Sequence, residues 1–318
     1  MSDSLAQTAH LIINGKSAQL PEVREAVAAI REDGCDLQVR VTWEGGDAIR
    51  LVHEASRQGV RRIIAGGGDG SVNEIVNGLM ELDDAQRPAL GILPLGSAND
   101  FANGVGLPLE PREALNAALR GTARAIDVAR LGDDFFINMA SGGFGAEITT
   151  STPVALKRLL GGGAYSLMGM LKAWRYQPYH GQLRWSQGEL DTPLFLLAIA
   201  NGCQAGGGQL LAPAAKLDDG LLDVLIVRHF SSLGEMRQVV AELDRIPEDG
   251  EFVRTIRTPE LTFDSDDAFP LNLDGEPRRL ENFTVKLEPR ALRLLMPSDC
   301  RLLSSPSRPQ EAWLETSE

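Results

Sequence analysis

Residues 63–74 read Ile-Ile-Ala-Gly-Gly-Gly-Asp-Gly-Ser-Val-Asn-Glu. An apolar run passes through a glycine cluster into a helix start, an arrangement that can hold a polyphosphate. Glycines let main-chain amides approach an anion without Cβ clashes. A helix N-terminus adds free N–H groups and a favourable dipole, and Ser71 can donate its hydroxyl. The spacing excludes two common phosphate motifs. A GxGxxG fingerprint would need glycine where Ser71 or Asn73 stands, and Gly15-Lys16-Ser17 ends like a Walker A loop whose first glycine is replaced by His10. The alternative reading of residues 66–71 is a tight turn without a ligand.

Two further segments carry candidate chemistry. Asp274-Gly275-Glu276-Pro277 is a tight turn that could present Glu276 at a strand end, where a carboxylate can take a hydroxyl proton. Asp-Gly is also an ordinary hairpin dipeptide. Asp69 could compete as base or organise magnesium. Leu93-Pro94-Leu95-Gly96-Ser97-Ala98-Asn99-Asp100-Phe101 joins another strand to another helix. It reads either as a second nucleotide loop or as a capping turn.

The elements that must position these residues alternate in the first third. Strands are expected near 9–13, 37–42, 63–65 and 89–93, and helices over 21–33, from a cap at Asp47, over 72–80 and over 111–119. Such alternation predicts a parallel sheet with helices on both faces, and both loops then lie at the carboxyl ends of their strands on one rim. After Asp127 strands dominate, near 135–140, 194–200, 222–227, 260–263, 271–273 and 283–287, with one helix near 233–243. This half reads as a β-sandwich. The expected division is an α/β domain over 1–127, completed by 290–303, a sandwich over 128–289, and a mobile tail over 304–318.

Composition narrows the function. The chain has 318 residues and a formal net charge of −13, which disfavours nucleic-acid partners. Three scattered cysteines give no disulfide framework, and four scattered histidines give no HExxH. No run approaches a membrane span, so a cytoplasmic protein is expected. Any lipid contact must come from a local patch. Residues 148–188 contain no Asp or Glu although the chain carries 44. They hold Lys157, Arg158, Lys172, Arg175 and Arg184 among Tyr165, Tyr176, Tyr179, Trp174 and Trp185. Such a segment suits transient contact with the inner face of a membrane, or simply an aromatic core with solvated bases.

The motifs resemble one family. Gly67-Gly68-Asp69-Gly70-Ser71 resembles the GGDGT loop of the diacylglycerol kinase catalytic family, and residues 93–100 resemble its LPxGTxND element with serine for threonine. Asn201-Gly202, Gly206-Gly207-Gly208, Asp218-Asp219-Gly220-Leu221-Leu222-Asp223 and Asp274–Pro277 follow in family order. The bacterial YegS-like lipid kinases are the most similar branch, sharing Val41-Thr42-Trp43-Glu44. The resemblance implies an α/β nucleotide domain, a β-sandwich and a cleft between them. It implies an ATP-dependent transfer to a lipid hydroxyl, of phosphatidylglycerol or diacylglycerol type, with Mg²⁺. By position it makes Thr42, Gly68, Asp69, Gly70, Ser71, Val72, Asn73, Glu74 and Ser97 ATP contacts, and Glu276 the base. Asn14 and Lys16 fall in a first-strand loop near the phosphates, without the usual NPxSG form. Gly145 stands where many relatives carry aspartate, which removes a carboxylate from the cleft. Asp219, with the carbonyls of Lys216 and Leu221, matches a metal loop, whose oxygen ligation suits Mg²⁺ or Ca²⁺; the same stretch also reads as a solvated turn. Two rivals stand beside this reading: a NAD kinase-like enzyme sharing the glycine loop, and a nucleotide-binding module without catalysis.

Overall fold

The computed structural model describes residues 8–143 and 178–304. The first third alternates β1 (Ala9–Asn14), α1 (Pro21–Glu32), β2 (Leu37–Thr42), α2 (Asp47–Arg57), β3 (Arg62–Gly67), α3 (Asp69–Met80), β4 (Ala89–Pro94), α4 (Asp100–Val105) and α5 (Pro111–Arg120). The strands run parallel in the order β4-β3-β1-β2. Strand alternation sends Leu11, Ile13, Ile64 and Leu93 to the face covered by α1 and α5. Ile12, Ile63, Ala65 and Ile92 go to the face covered by α2 and α3. Both faces are therefore dry, as expected for helices on two sides.

Two local expectations need correction. Helix α3 begins at Asp69 rather than at residue 72, so the glycine loop is itself the helix's first turn. Asp47 does not cap α2; Gly46 does, in a left-handed conformation (φ 87°). The Asp47 carboxylate instead points back and accepts from the amides of Trp43 (2.7 Å) and Glu44 (3.2 Å).

The remaining strands are β5 (Thr122–Leu131), β6 (Asp134–Phe136), β7 (Met139–Gly143), β8 (Tyr179–Trp185), β9 (Gly188–Ala200), β10 (Gln204–Ala205), β11 (Gln209–Leu210), β12 (Leu222–Arg228), β13 (Val253–Thr258), β14 (Glu260–Leu273) and β15 (Glu276–Met296). Helix α6 (Leu233–Leu243) starts with a Ser232/Glu235 capping box. Strands β7 and β8 each pair with both β9 and β14, closing the sandwich around Leu183, Leu194, Leu197, Phe263 and Phe269. Strand β15 bends at Arg290 (φ 52°), and Leu294 beyond it pairs in parallel with Leu90 of β4. One 13-stranded sheet thus runs through both halves.

The strand expected over 135–140 is two strands, β6 and β7, and the two expected over 260–263 and 271–273 are one, bulged between Asp264 and Phe269. Most of the basic aromatic segment, residues 148–177, lies outside the described residues, as does the tail from 305 onward. In its described end, Tyr179 meets the Phe269 ring edge-on at 5.4 Å, Arg184 is ion-paired with Asp264, and Arg254 lies over Trp185. Among the described residues no helix is long and apolar enough to cross a membrane.

The split between β6 and β7 has a specific cause. Asp274, at the end of β14, is buried, and its carboxylate accepts from the amides of Ile137 (2.9 Å), Asn138 (3.2 Å) and Met139 (2.7 Å). Those amides are turned from ladder pairing toward one side chain. The turn that follows uses positive φ at Asp274 (48°) and Gly275 (108°), which glycine tolerates at the second position. Burial pushes the Asp274 carboxyl up to about 6, against the opposing pull of its three amide donors. Between about pH 4 and 6 the folded chain therefore holds a proton that the unfolded chain, with its ordinary value of 3.8, has released. Stability from this group is full below about pH 4 and falls by about 3 kcal/mol as pH rises through 6. Denaturation of wild type and Asp274→Asn between pH 4 and 7 checks this. Wild type should lose stability relative to the variant as pH rises; a difference independent of pH would contradict it.

Candidate active site

The carboxyl ends of β3 and β4 are neighbours, with Gly67 opposite Pro94 and the Leu95 amide bonded to the Gly67 carbonyl (2.9 Å). Beyond them the two loops cross back to back. A Cβ added to Gly96 would lie 2.5 Å from the Gly68 Cα, so glycine is required at the crossing. The amides of Asp69, Gly70 and Ser71 occupy the first turn of α3 and have no acceptor within the helix. The Ser71 hydroxyl sits over Gly67, 2.5 Å from where a Cβ there would be. Three amides, a hydroxyl and a helix dipole therefore face one small space, a geometry suited to phosphate.

Asp69 is committed within this arrangement. Its carboxylate accepts from the amides of Asp100 (3.2 Å) and Phe101 (3.1 Å), which open α4. Burial raises its pKa, against the pull of those amides. Asn99 takes a left-handed conformation (φ 50°) and closes on Gly96 through both side-chain atoms, at 2.8 and 2.9 Å. Asp100, also buried, accepts from the amides of Gly207 (2.9 Å) and Gly208 (2.6 Å). The glycine triplet of the second half is thus a receptor for a carboxylate of the first. Ser97 is exposed on the crossing loop.

The Asp274–Pro277 turn reaches the same space. An Oε atom of Glu276 is 3.4 Å from the position of a Cβ on Gly70, and a Cβ on Gly275 would lie 3.7 Å from the Gly70 amide nitrogen. Unlike Asp69, the Glu276 carboxylate has no hydrogen bond or ion pair with any described residue. Its neighbour Arg278 is anchored by two bonds to Asp134, at 2.9 and 3.1 Å. Glu74 stands close enough that burial first, and the Glu276 charge second, raise its pKa.

A cavity of about 680 Å³ opens beside the loop, and Asn14, Lys16, Thr42, Trp43, Ser71 and Glu74 all line it. Thr42 is brought there because the ends of β1 and β2 pair in register, Asn14 opposite Thr42. Asn14 is partly used in its own turn, accepting from the Ser17 amide at 2.8 Å. Two expected contacts turn away. Val72 is buried in the core, and Asn73 donates to the Phe135 carbonyl at 2.8 Å while bonded to Asn77. Asn73 and Asn77 latch α3 onto β6, and positions 72 and 73 leave only backbone for a ligand. Gly145 lies outside the described residues.

The Lys216–Leu221 segment is a separate acidic corner. Asp127 is fully buried and ties this loop to the bend in β15 by accepting from the amides of Gly220 (2.8 Å) and Arg290 (2.7 Å). Asp219 is ion-paired with Arg257 and accepts from the Leu221 amide at 3.0 Å. Lys216 donates its ammonium to the Arg301 carbonyl at 2.7 Å. Among the described residues no three metal-ligating side chains converge. Asp223 Oδ2 is nevertheless buried without a partner; burial raises the pKa of both Asp127 and Asp223, with the Arg257 charge opposing the rise at Asp223 and the Asp219 charge adding to it at both. The orphaned Asp223 oxygen is the one feature of this corner that suits a cation, while Asp219 is already paired with Arg257.

Comparison with known proteins agrees with this layout. Residues 8–131 match the diacylglycerol kinase catalytic domain, and residues 139–296 match the YegS C-terminal NAD kinase beta sandwich-like domain. A protein of Chromohalobacter salexigens named "Probable lipid kinase YegS-like" is 67% identical over 92% of this chain and 94% of its own length. Proteins with the same name from Shewanella frigidimarina and an Enterobacter species are 40% and 43% identical over 92% of this chain, covering 95% and 97% of their own lengths. A crystal structure described as a diacylglycerol kinase from Bacillus anthracis superposes with a TM-score of 0.67 at 22% identity, over 91% of this chain and 97% of that one. At that identity the likeness speaks for the fold alone. With two matching domains in order and relatives similar over nearly its whole length, the chain belongs to the YegS-like branch of the diacylglycerol kinase catalytic family.

Proposed function

We propose that this protein is an ATP-dependent lipid kinase that transfers the γ-phosphoryl group to a lipid hydroxyl, of phosphatidylglycerol or diacylglycerol type. The observation that carries the reading is the unpaired Glu276 carboxylate beside Gly70, in the first turn of α3. ATP is held with its phosphates on the amides of Asp69, Gly70 and Ser71 and with Ser97 on the adjoining loop. Thr42 and Glu74 bound the rest of the nucleotide. Glu276 takes the proton of the acceptor hydroxyl as its oxygen attacks the γ-phosphorus; the β–γ bridge bond breaks and ADP leaves with the electron pair. A divalent cation, when bound, offsets phosphate charge. Mg²⁺ serves the nucleotide, and Mg²⁺ or Ca²⁺ suits the Asp219 corner with the carbonyls of Lys216 and Leu221. Asp69 is assigned a holding role, since its carboxylate is already bonded to two amides. The relatives' names favour a lipid acceptor over NAD and an enzyme over a silent module. Residues 1–127 with 290–303 form the nucleotide half and 128–289 the acceptor half. Contact with the inner face of the membrane through residues 148–188 belongs to the same reading.

Four outcomes are expected. Labelled ATP supplied with phosphatidylglycerol, diacylglycerol and NAD should label a lipid; label in NAD alone would sink the assignment. Glu276→Gln should lower kcat about 10²- to 10⁴-fold with little change in melting temperature. Asp69→Ala should behave differently, losing about 1–3 kcal/mol of stability through two stranded amides. Equal melting temperatures for the two variants would contradict these roles. Millimolar Mg²⁺ or Ca²⁺ should raise the melting temperature of wild type and not of Asp219→Ala; a shift of equal size in both would place the cation elsewhere.

A further inference from the structure

Trp43 is 90% exposed, more than any other large apolar side chain among the described residues. An indole left in water contributes nothing to folding, because its apolar area is not removed from solvent. Yet its backbone is fixed. The Asp47 carboxylate accepts from the Trp43 and Glu44 amides, and Arg50 holds that carboxylate through two bonds at 2.7 and 3.2 Å. Those amides, and then the guanidinium, keep the Asp47 carboxyl down at about 2, so the clamp is ionised at neutral pH.

This bare indole, on a fixed backbone, lines the same cavity as Thr42, Ser71 and Glu74 and is its only aromatic lining among the described residues. A nucleotide has two ends with different needs. The phosphates need amides and a hydroxyl, which the start of α3 supplies. The base needs a flat π surface, because stacking is how a planar ring leaves water without needing hydrogen bonds. Trp43 is the group on the cavity wall that offers one.

We infer that Trp43 is the stacking platform for the purine base of the nucleotide, a binding residue that sets base affinity while α3 sets phosphate affinity. The inference rests on the kinase reading above and specifies its donor site. It assigns the exposed end of β2 to the base and the start of α3 to the phosphates, with Thr42 between them.

The test compares wild type, Trp43→Phe and Trp43→Ala, using ATP and inorganic tripolyphosphate as probes in binding calorimetry. Trp43→Ala should weaken ATP about tenfold, the scale of one lost base–aromatic stack. Trp43→Phe should weaken it only a few-fold, and tripolyphosphate should bind all three proteins alike. The chain has 4 tryptophans, so intrinsic emission gives a second readout. Quenching by ATP should be present in wild type and lost in Trp43→Phe. Unchanged ATP affinity in Trp43→Ala, with tripolyphosphate still bound, would overturn the stacking role and leave the kinase reading standing. Failure of wild type to bind either probe would overturn both. If instead phosphatidylglycerol vesicles, and not ATP, shift the emission in a manner lost with Trp43→Phe, the indole is a membrane contact and the inference fails.

Discussion

The structure turns on a buried carboxylate that holds three main-chain amides. Asp274 sits at the interruption between the consecutive strands β6 and β7 and holds the amides of Ile137, Asn138 and Met139 there. Burying a charge is costly unless it is well satisfied, and amide donors are the satisfaction available inside a sheet. The consequence is positional. With Asp274 and Gly275 held, Glu276 stands beside Gly70 without any bond of its own. The Gly275 amide, donating to Asn272 Oδ1 (2.8 Å), and the pairing of Leu273 with Glu276 hold the same turn.

The same device recurs. Asp69 grips the amides that open α4, Asp100 grips Gly207 and Gly208, Asp127 grips Gly220 and Arg290, and Asp47 grips Trp43 and Glu44. Four of these five clamps join segments from different parts of the chain. A protein with a formal charge of −13 thus spends several of its acids as internal connectors rather than as solvated surface. The continuous sheet makes this workable. Strand β15 begins at Glu276 and ends beside β4, so the candidate base and the sheet under the phosphate loop belong to one framework.

Legibility in the sequence divides along physical lines. Periodicity located the strands and helices of the first half because burial there is two-sided and regular, as in the runs through Ile63 and Ile92. Strand breaks were not legible. Residues 135–140 keep an apolar pattern through Ile137, and the break comes from Asp274, some 137 positions away in the chain. The motif aspartates carried a similar ambiguity. Asp69 stands in a glycine-rich motif and reads as chemistry, yet it is used up on backbone amides, as Asp100 and Asp274 are. Glu276, from a dipeptide that also reads as a hairpin, is the carboxylate left free. The family resemblance makes Val72 and Asn73 contacts along with the loop, but helical phase turns their side chains inward to the core and to Phe135. Trp43 gave no signal beyond its residue type, since exposure is invisible without the fold.

The central claim is spatial: the first amides of α3 grip a triphosphate next to Glu276. Hydrogen–deuterium exchange with and without a non-hydrolysable ATP analogue reads this most directly, because amides that bond phosphate exchange slowly. The account predicts new protection concentrated at Asp69, Gly70 and Ser71, extending to Gly275 and Glu276 across the gap. Protection confined to other segments, with residues 69–71 and 275–276 unchanged, would contradict it.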